Sequence, residues 1–129
     1  YEKQAGVHVS GRNDKFYKCN LGDEDKPCWI GGRVDGLTPD RVVEVKCRRN
    51  RFFFPAYEKV QIHAYMHLTG RRECDHVQKL NSDVKTTTHP FDEGYWETVA
   101  DEIRDAWDDF QDLLDDPERQ DELIAELAP

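Results

Sequence analysis

Residues 41–47 read Arg-Val-Val-Glu-Val-Lys-Cys, and β-branched valines at 42, 43 and 45 commit this stretch to a strand. Side chains alternate faces along a strand, so Glu44 and Lys46 share one face while Val43, Val45 and Cys47 point into the opposite layer. Just upstream, residues 36–40 (Gly-Leu-Thr-Pro-Asp) have the composition of a turn, so Asp35 ends the strand before it. An antiparallel hairpin then brings Asp35 beside Glu44. Asp-Gly before a turn and Glu-x-Lys on a strand are each ordinary on a solvated surface. Together they are less so, because both carboxylates end runs rich in Val, Ile and Gly, where an unpaired charge is costly. Folding alone does not require that set.

Two carboxylates with a lysine two residues on suit a hard divalent cation, Mg²⁺ or Mn²⁺. Mg²⁺ commonly takes one or two carboxylates and leaves its other positions to water and phosphate. A further polar residue, Gln61, follows on a helix. That helix is predicted from Pro55, in a first turn, to Leu68, with Gly70 as its stop. Tyr57, Gln61 and Tyr65 recur at i, i+4 and share a face of it.

The rest of the chain reads as mixed α/β. Residues 1–5 are expected to be a helix remnant ending near Gly6. Strands are predicted at 7–10, 15–20, 28–35, 41–47, 74–80 and 84–88, with an acidic hairpin loop at 22–27. A long helix is predicted over 92–114, its apolar stripe of Trp96, Val99, Ile103, Trp107, Phe110 and Leu114 serving as core. Asp116 and Pro117 open a last short helix whose Leu123, Ile124 and Leu127 need a surface to cover.

Tyr1, Glu2 and Gly6, then Val-Asp-Gly-Leu at 34–37, then Val-Glu-Val-Lys-Cys at 43–47, then the helix bearing Gln61 and the strand from Cys74 resemble the PD-(D/E)XK nuclease superfamily. The nearer likeness is to its lambda-exonuclease/YqaJ-type viral recombinase branch, and the Gln-x-x-x-Tyr spacing of 61 and 65 also resembles the RecB-like nucleases. The likeness spans roughly residues 1–110. It implies a restriction-endonuclease-like α+β fold, a mixed central sheet flanked by helices, and Mg²⁺-dependent hydrolysis of DNA phosphodiesters. It implies that Asp35, Glu44 and the Val45 backbone carbonyl bind the metal. Lys46 would position or activate the attacking water, and Gln61 would orient the lysine or contact a phosphate. Val34 stands where the superfamily's name has proline. The chain begins at what resembles the end of the first helix, so an acidic residue that relatives carry farther upstream is not in it. The resemblance also points to 5′-to-3′ degradation of double-stranded ends in recombination, repair or viral replication, with a homo-oligomer or a recombination protein as partner. A structure-specific endonuclease on the same core and a non-catalytic nucleic-acid- or protein-binding module are the alternatives.

Composition sets the outer bounds. With 129 residues, one domain is expected, and 37% hydrophobic against 35% charged residues allows only a modest core. The net charge of −9 hides an asymmetry. Residues 1–91 hold 16 Lys/Arg and 12 Asp/Glu, whereas residues 92–129 hold 2 and 15. The site-bearing part is therefore basic, and Arg48, Arg49 and Arg51, with Tyr57 and Tyr65, are expected to contact nucleic acid; Arg71 and Arg72 lie in a later loop. Of Phe52, Phe53 and Phe54, at least one is expected to seat the following helix in the core. Cys19, Cys28, Cys47 and Cys74 have no Cys-x-x-Cys pairing, so free thiols in a reducing compartment are expected, inside a cell (cytoplasm or nucleus) or in the host of a virus. No apolar run is long enough to span a membrane.

Overall fold

The computed structural model describes residues 2, 6, 8–12 and 14–128. A short antiparallel hairpin comes first, β1 (Tyr17–Asn20) against β2 (Trp29–Gly32). The main sheet follows: β3 (Gly36–Leu37), β4 (Arg41–Arg48), β5 (Glu73–Leu80) and β6 (Asp83–Pro90), in the order β3-β4-β5-β6. β3 and β6 pair antiparallel with their neighbours, whereas β4 and β5 run parallel, so the sheet is mixed. Parallel neighbours need a crossover, and helix α1 (Ala56–Thr69) supplies it. Helix α2 (Glu93–Leu114) lies against α1, and α3 (Pro117–Leu127) follows it.

Local chemistry sets these boundaries. Pro55, extended at φ −71°, stands at the N-cap of α1, one residue before the helix. Gly70 ends it in the left-handed region at φ 71°, which a Cβ would penalise. The Asp92 side chain accepts from Tyr95 N and the Asp116 side chain accepts from Arg119 N, which caps the first turns of α2 and α3.

The main core lies between the sheet and α1, where Val34, Leu37, Val42 and Cys74 meet Ile62 and Met66. A second cluster joins α1 to α2 through Trp96, Val99 and Ala100, with Val60 and Ala64 against them. On the far face of the sheet only Val9, Val43 and Val77 form a buried cluster among the described residues.

Four expectations need correction. Gly36 and Leu37 are strand, paired with Val43 and Val42, so the turn is confined to 38–40 and Asp35 precedes β3 rather than ending a strand. In the expected strand at 7–10 only Ser10 is paired, through a bridge to Leu37, and Val7 lies outside the described residues. Of the expected helix at 1–5, only Glu2 is described. Lastly, Val45 is 43% exposed, and Cys47 is exposed too, because the cover over the far face stops at Val43 and Val77. The stripe on α2 divides in the same way. Trp96 and Val99 are buried, but Trp107, Phe110 and Leu114 are exposed. A helix of 22 residues is about 33 Å long and outruns the body it packs on. No described helix is long and apolar enough to cross a membrane.

Candidate metal centre

The register of β3 on β4 builds the site. Gly36 pairs with Val43, so the next residue back, Asp35, comes level with Glu44. Asp35 Oδ2 accepts a hydrogen bond from Val45 N at 2.8 Å, which fixes the carboxylate at the point where the β3 ladder stops. The close approach of segment 8–10 requires glycine at 36, since a Cβ there would collide with Val9.

Glu44 lies on the inward face, 4% exposed, and its Oε2 is buried without a hydrogen-bond partner. Its Oε1 is 3.7 Å from Lys46 Nζ. Burial pushes the Glu44 carboxyl up to about 9; Asp35 adds to the rise and Lys46 opposes it without prevailing. At neutral pH the carboxyl pair therefore holds a proton. A cation binding there would displace it.

Lys46 Nζ donates to Gln61 Oε1 at 2.7 Å, and Gln61 Nε2 donates to Tyr65 Oη at 3.2 Å. The ring of Tyr65 comes within 2.8 Å of where a Cβ on Gly32 would stand, so the β1–β2 hairpin closes over this side of the site. Burial raises the Tyr65 phenol, and the charges of Glu44 and Asp35 raise it further. Five sequence-selected residues thus converge: Asp35, Glu44, Lys46, Gln61 and Tyr65. Tyr65 does so as a partner of Gln61 rather than on an open face.

The other expected nucleic-acid residues separate. Tyr57 is 67% exposed, and Arg49 and Arg51 are exposed in the loop that leads to α1. Arg48 is not on that surface, which corrects the expectation for it. It continues the 44, 46, 48 alternation into the interior, where its side chain is 8% exposed. It forms a bidentate pair with Glu58 (2.9 and 2.6 Å) and donates also to Gln78 Oε1 and Phe53 O. His76 Nε2 reaches Glu58 Oε1 at 2.9 Å. Burial alone would raise Glu58, but the hydrogen bonds from Arg48 and His76 hold it below its ordinary value. Burial lowers His76 despite Glu58. The imidazole is thus neutral, its Nε2–H donating. The period-2 pattern, followed two residues past Lys46, puts Arg48 on the Glu44 face but does not name Glu58 or His76 as its neighbours. Arg71 gives its two terminal nitrogens to the Thr69 and Thr38 carbonyls, so it braces the turns. Phe54 seats α1, its ring 4.4 Å from that of His89 and 4.9 Å from that of His76. His63 is buried between Lys59 O and Asp92 N.

The fold matches that of LHK-Exo from Laribacter hongkongensis with a TM-score of 0.64 at 20% identity, over 99% of this chain and 68% of that one. In fold, this chain resembles an alkaline exonuclease. The crystal structure of LHK-Exo in complex with dAMP gives the same TM-score of 0.64 at 22% identity, with the same coverage. The crystal structure of SSO0001 matches at 0.57 and 18% identity, over 79% of this chain and 50% of that one. No family model matches the sequence, and no curated protein does.

On this exonuclease-like fold, the donor set fits a hard divalent cation in character. It offers a carboxylate pair carrying one proton, an orphaned buried oxygen on Glu44, and the Val45 carbonyl at the strand edge beyond β3. Among the described residues no group of three or more His, Cys, Asp or Glu side chains gathers as a metal cage. Glu2 pairs with Arg12 and His8. A cation held here would keep most of its coordination for water and substrate oxygen, as Mg²⁺ does.

Proposed function

We propose that the chain is a Mg²⁺- or Mn²⁺-dependent nuclease that hydrolyses DNA phosphodiesters, acting as a 5′-to-3′ exonuclease on double-stranded ends. One observation carries this reading: Asp35 stands level with the buried Glu44, whose Oε2 is unpartnered and whose Oε1 lies 3.7 Å from the ammonium of Lys46. The likeness in fold to an alkaline exonuclease, and that protein's complex with dAMP, support it.

Each residue then has a task. Asp35 and Glu44 hold the cation, and Val45 adds its carbonyl. The cation would neutralise phosphate charge and lower the pKa of a bound water. Lys46 carries three donors. One is committed to Gln61 and another faces Glu44, which leaves a third for the attacking water or a phosphoryl oxygen. Gln61 fixes the direction of that third N–H, and Tyr65 fixes Gln61. Arg49 and Arg51 meet the phosphate backbone from the loop beside the site.

The test is degradation of a linearised plasmid against a covalently closed circle, with Mg²⁺, by the wild type, Glu44→Ala and Lys46→Ala. Loss of the linear form alone, abolished in both variants, is the expected result. Cutting of the closed circle would replace the exonuclease with an endonuclease on the same core. DNA binding with no hydrolysis in either metal would leave a binding module.

A further inference from the structure

The outer face of the β1–β2 hairpin alternates aromatic rings with cations. Lys18, Trp29 and Gly31 are exposed on it, while Tyr17 and Ile30 pack inward against the two helix-bearing clusters. In register, Lys18 stands opposite Gly31 and Asn20 opposite Trp29. The ring of Phe16, just before β1, lies over Gly31, where a Cβ would collide with it. Lys18 Nζ sits 5.4 Å from the Trp29 ring centroid, and the Arg33 guanidinium 5.8 Å from that of Phe16. Phe16 is 54% exposed and Trp29 is 60% exposed. Neither ring fills the core, which the inward residues already supply.

The hairpin that carries this face adjoins the candidate metal centre. Gly32 presses the inner side of the hairpin onto Tyr65, and Arg33 lies two residues before Asp35, about 7 Å of chain at most. At the far end, Asp23, Glu24 and Asp25 are exposed in the turn and would repel a phosphate backbone, so a strand lying here is confined to the stretch between Trp29 and the site.

We propose that Phe16 and Trp29 form a platform on which unpaired bases of a single DNA strand stack, with Lys18 and Arg33 on its phosphates, beside the cleavage site. This deepens the nuclease reading and rests on it for the identity of the strand. The chemistry favours unpaired bases over a duplex, whose ring faces are already stacked on one another. Stacking of a base on an aromatic side chain outweighs an exposed cation–π pair, so an arriving base displaces Lys18 and Arg33 from the rings toward the backbone. Every base has a π-face, so the platform would read no sequence.

The test uses a fluorescein-labelled oligo-dT, about 12 nucleotides long, and anisotropy of the full chain in EDTA, where nothing is cut. The double variant Phe16→Ala/Trp29→Ala should raise Kd at least about tenfold, while Trp29→Tyr, which keeps a ring, should bind within about threefold of wild type. Lys18→Gln should lower the salt slope of binding by about 0.7. Both rings are exposed, so the double variant should melt with the wild type; should it unfold, the Lys18→Gln slope and the single Trp29→Gln variant decide instead. Unchanged affinity in the ring variants, or no oligo-dT binding by the wild type, overturns the platform. Ring-dependent binding by a protein that hydrolyses nothing in Mg²⁺ upholds the platform and removes only the nuclease reading.

Discussion

Lys46 and Gln61 are joined by a 2.7 Å hydrogen bond that ties strand β4 to helix α1 at the edge of the carboxylate pair. The lysine leaves its strand on the same face as Glu44, and the glutamine comes from the crossover helix packed over that face. Orientation of the ammonium is thus set by the packing of α1, and through it by the core of Ile62 and Met66.

Removal of that bond should cost rate rather than binding. Gln61→Ala is expected to lower kcat by about 10- to 100-fold, the scale of a misplaced catalytic group, with DNA affinity within about threefold of wild type. Tyr65→Phe, which takes away the oxygen that accepts from Gln61, should show a smaller loss of the same kind. Single-turnover rates and anisotropy measured on the same preparations separate the two effects.

Glu44 should make the metal-free protein lose stability as pH rises. Its folded value is about 9, against an unfolded value near 4.3, so between them the folded state binds a proton that the unfolded state has released. The contribution is fully present below about pH 4 and disappears as pH climbs through about 9. In EDTA, the melting temperature of wild type should therefore fall relative to Glu44→Gln between about pH 5 and about pH 9. Mg²⁺ should remove that difference by displacing the proton. Equal slopes for the two proteins would contradict the burial of Glu44.

Arg48 tests whether a buried ion pair or a phosphate contact occupies that position. Glu58→Ala should destabilise the fold by about 3–5 kcal/mol by stranding the guanidinium, whereas Arg48→Met/Glu58→Leu should recover most of the loss. Urea unfolding measures both. An Arg48→Ala variant as stable as wild type would return Arg48 to the DNA face.

Arg49 and Arg51 should act through salt. Each substitution by alanine is expected to reduce the salt slope of duplex binding by about 0.9 and to weaken binding evenly across sequences. No change in slope for either would take the loop out of the interface.

The hairpin that joins Asp35 to Glu44 was legible because valines and turn residues fix a short local register, and register decides which carboxylates meet. Arg48 was not, although it obeys the same alternation, since its partner Glu58 comes from a helix whose placement over that face is a tertiary fact. The distal α2 stripe fails for a related reason. Amphipathy says which side of the helix is apolar, and says nothing of where the apolar cluster beneath it ends, at Ile103. Val45 and Cys47 were assigned a covering layer by their alternation alone; cover over that face reaches Val43 and Val77 and stops. Exposure of Phe16 and Trp29 was equally hidden, because aromatic residues in short strands belong to cores more often than to surfaces.

The most direct test of the whole account is a crystal of the protein soaked in Mn²⁺ and measured at the manganese edge. One anomalous peak, within about 2.5 Å of an oxygen of Asp35 and an oxygen of Glu44, is the result predicted. A soaked crystal with no peak between those carboxylates, or with manganese bound only elsewhere, would contradict it.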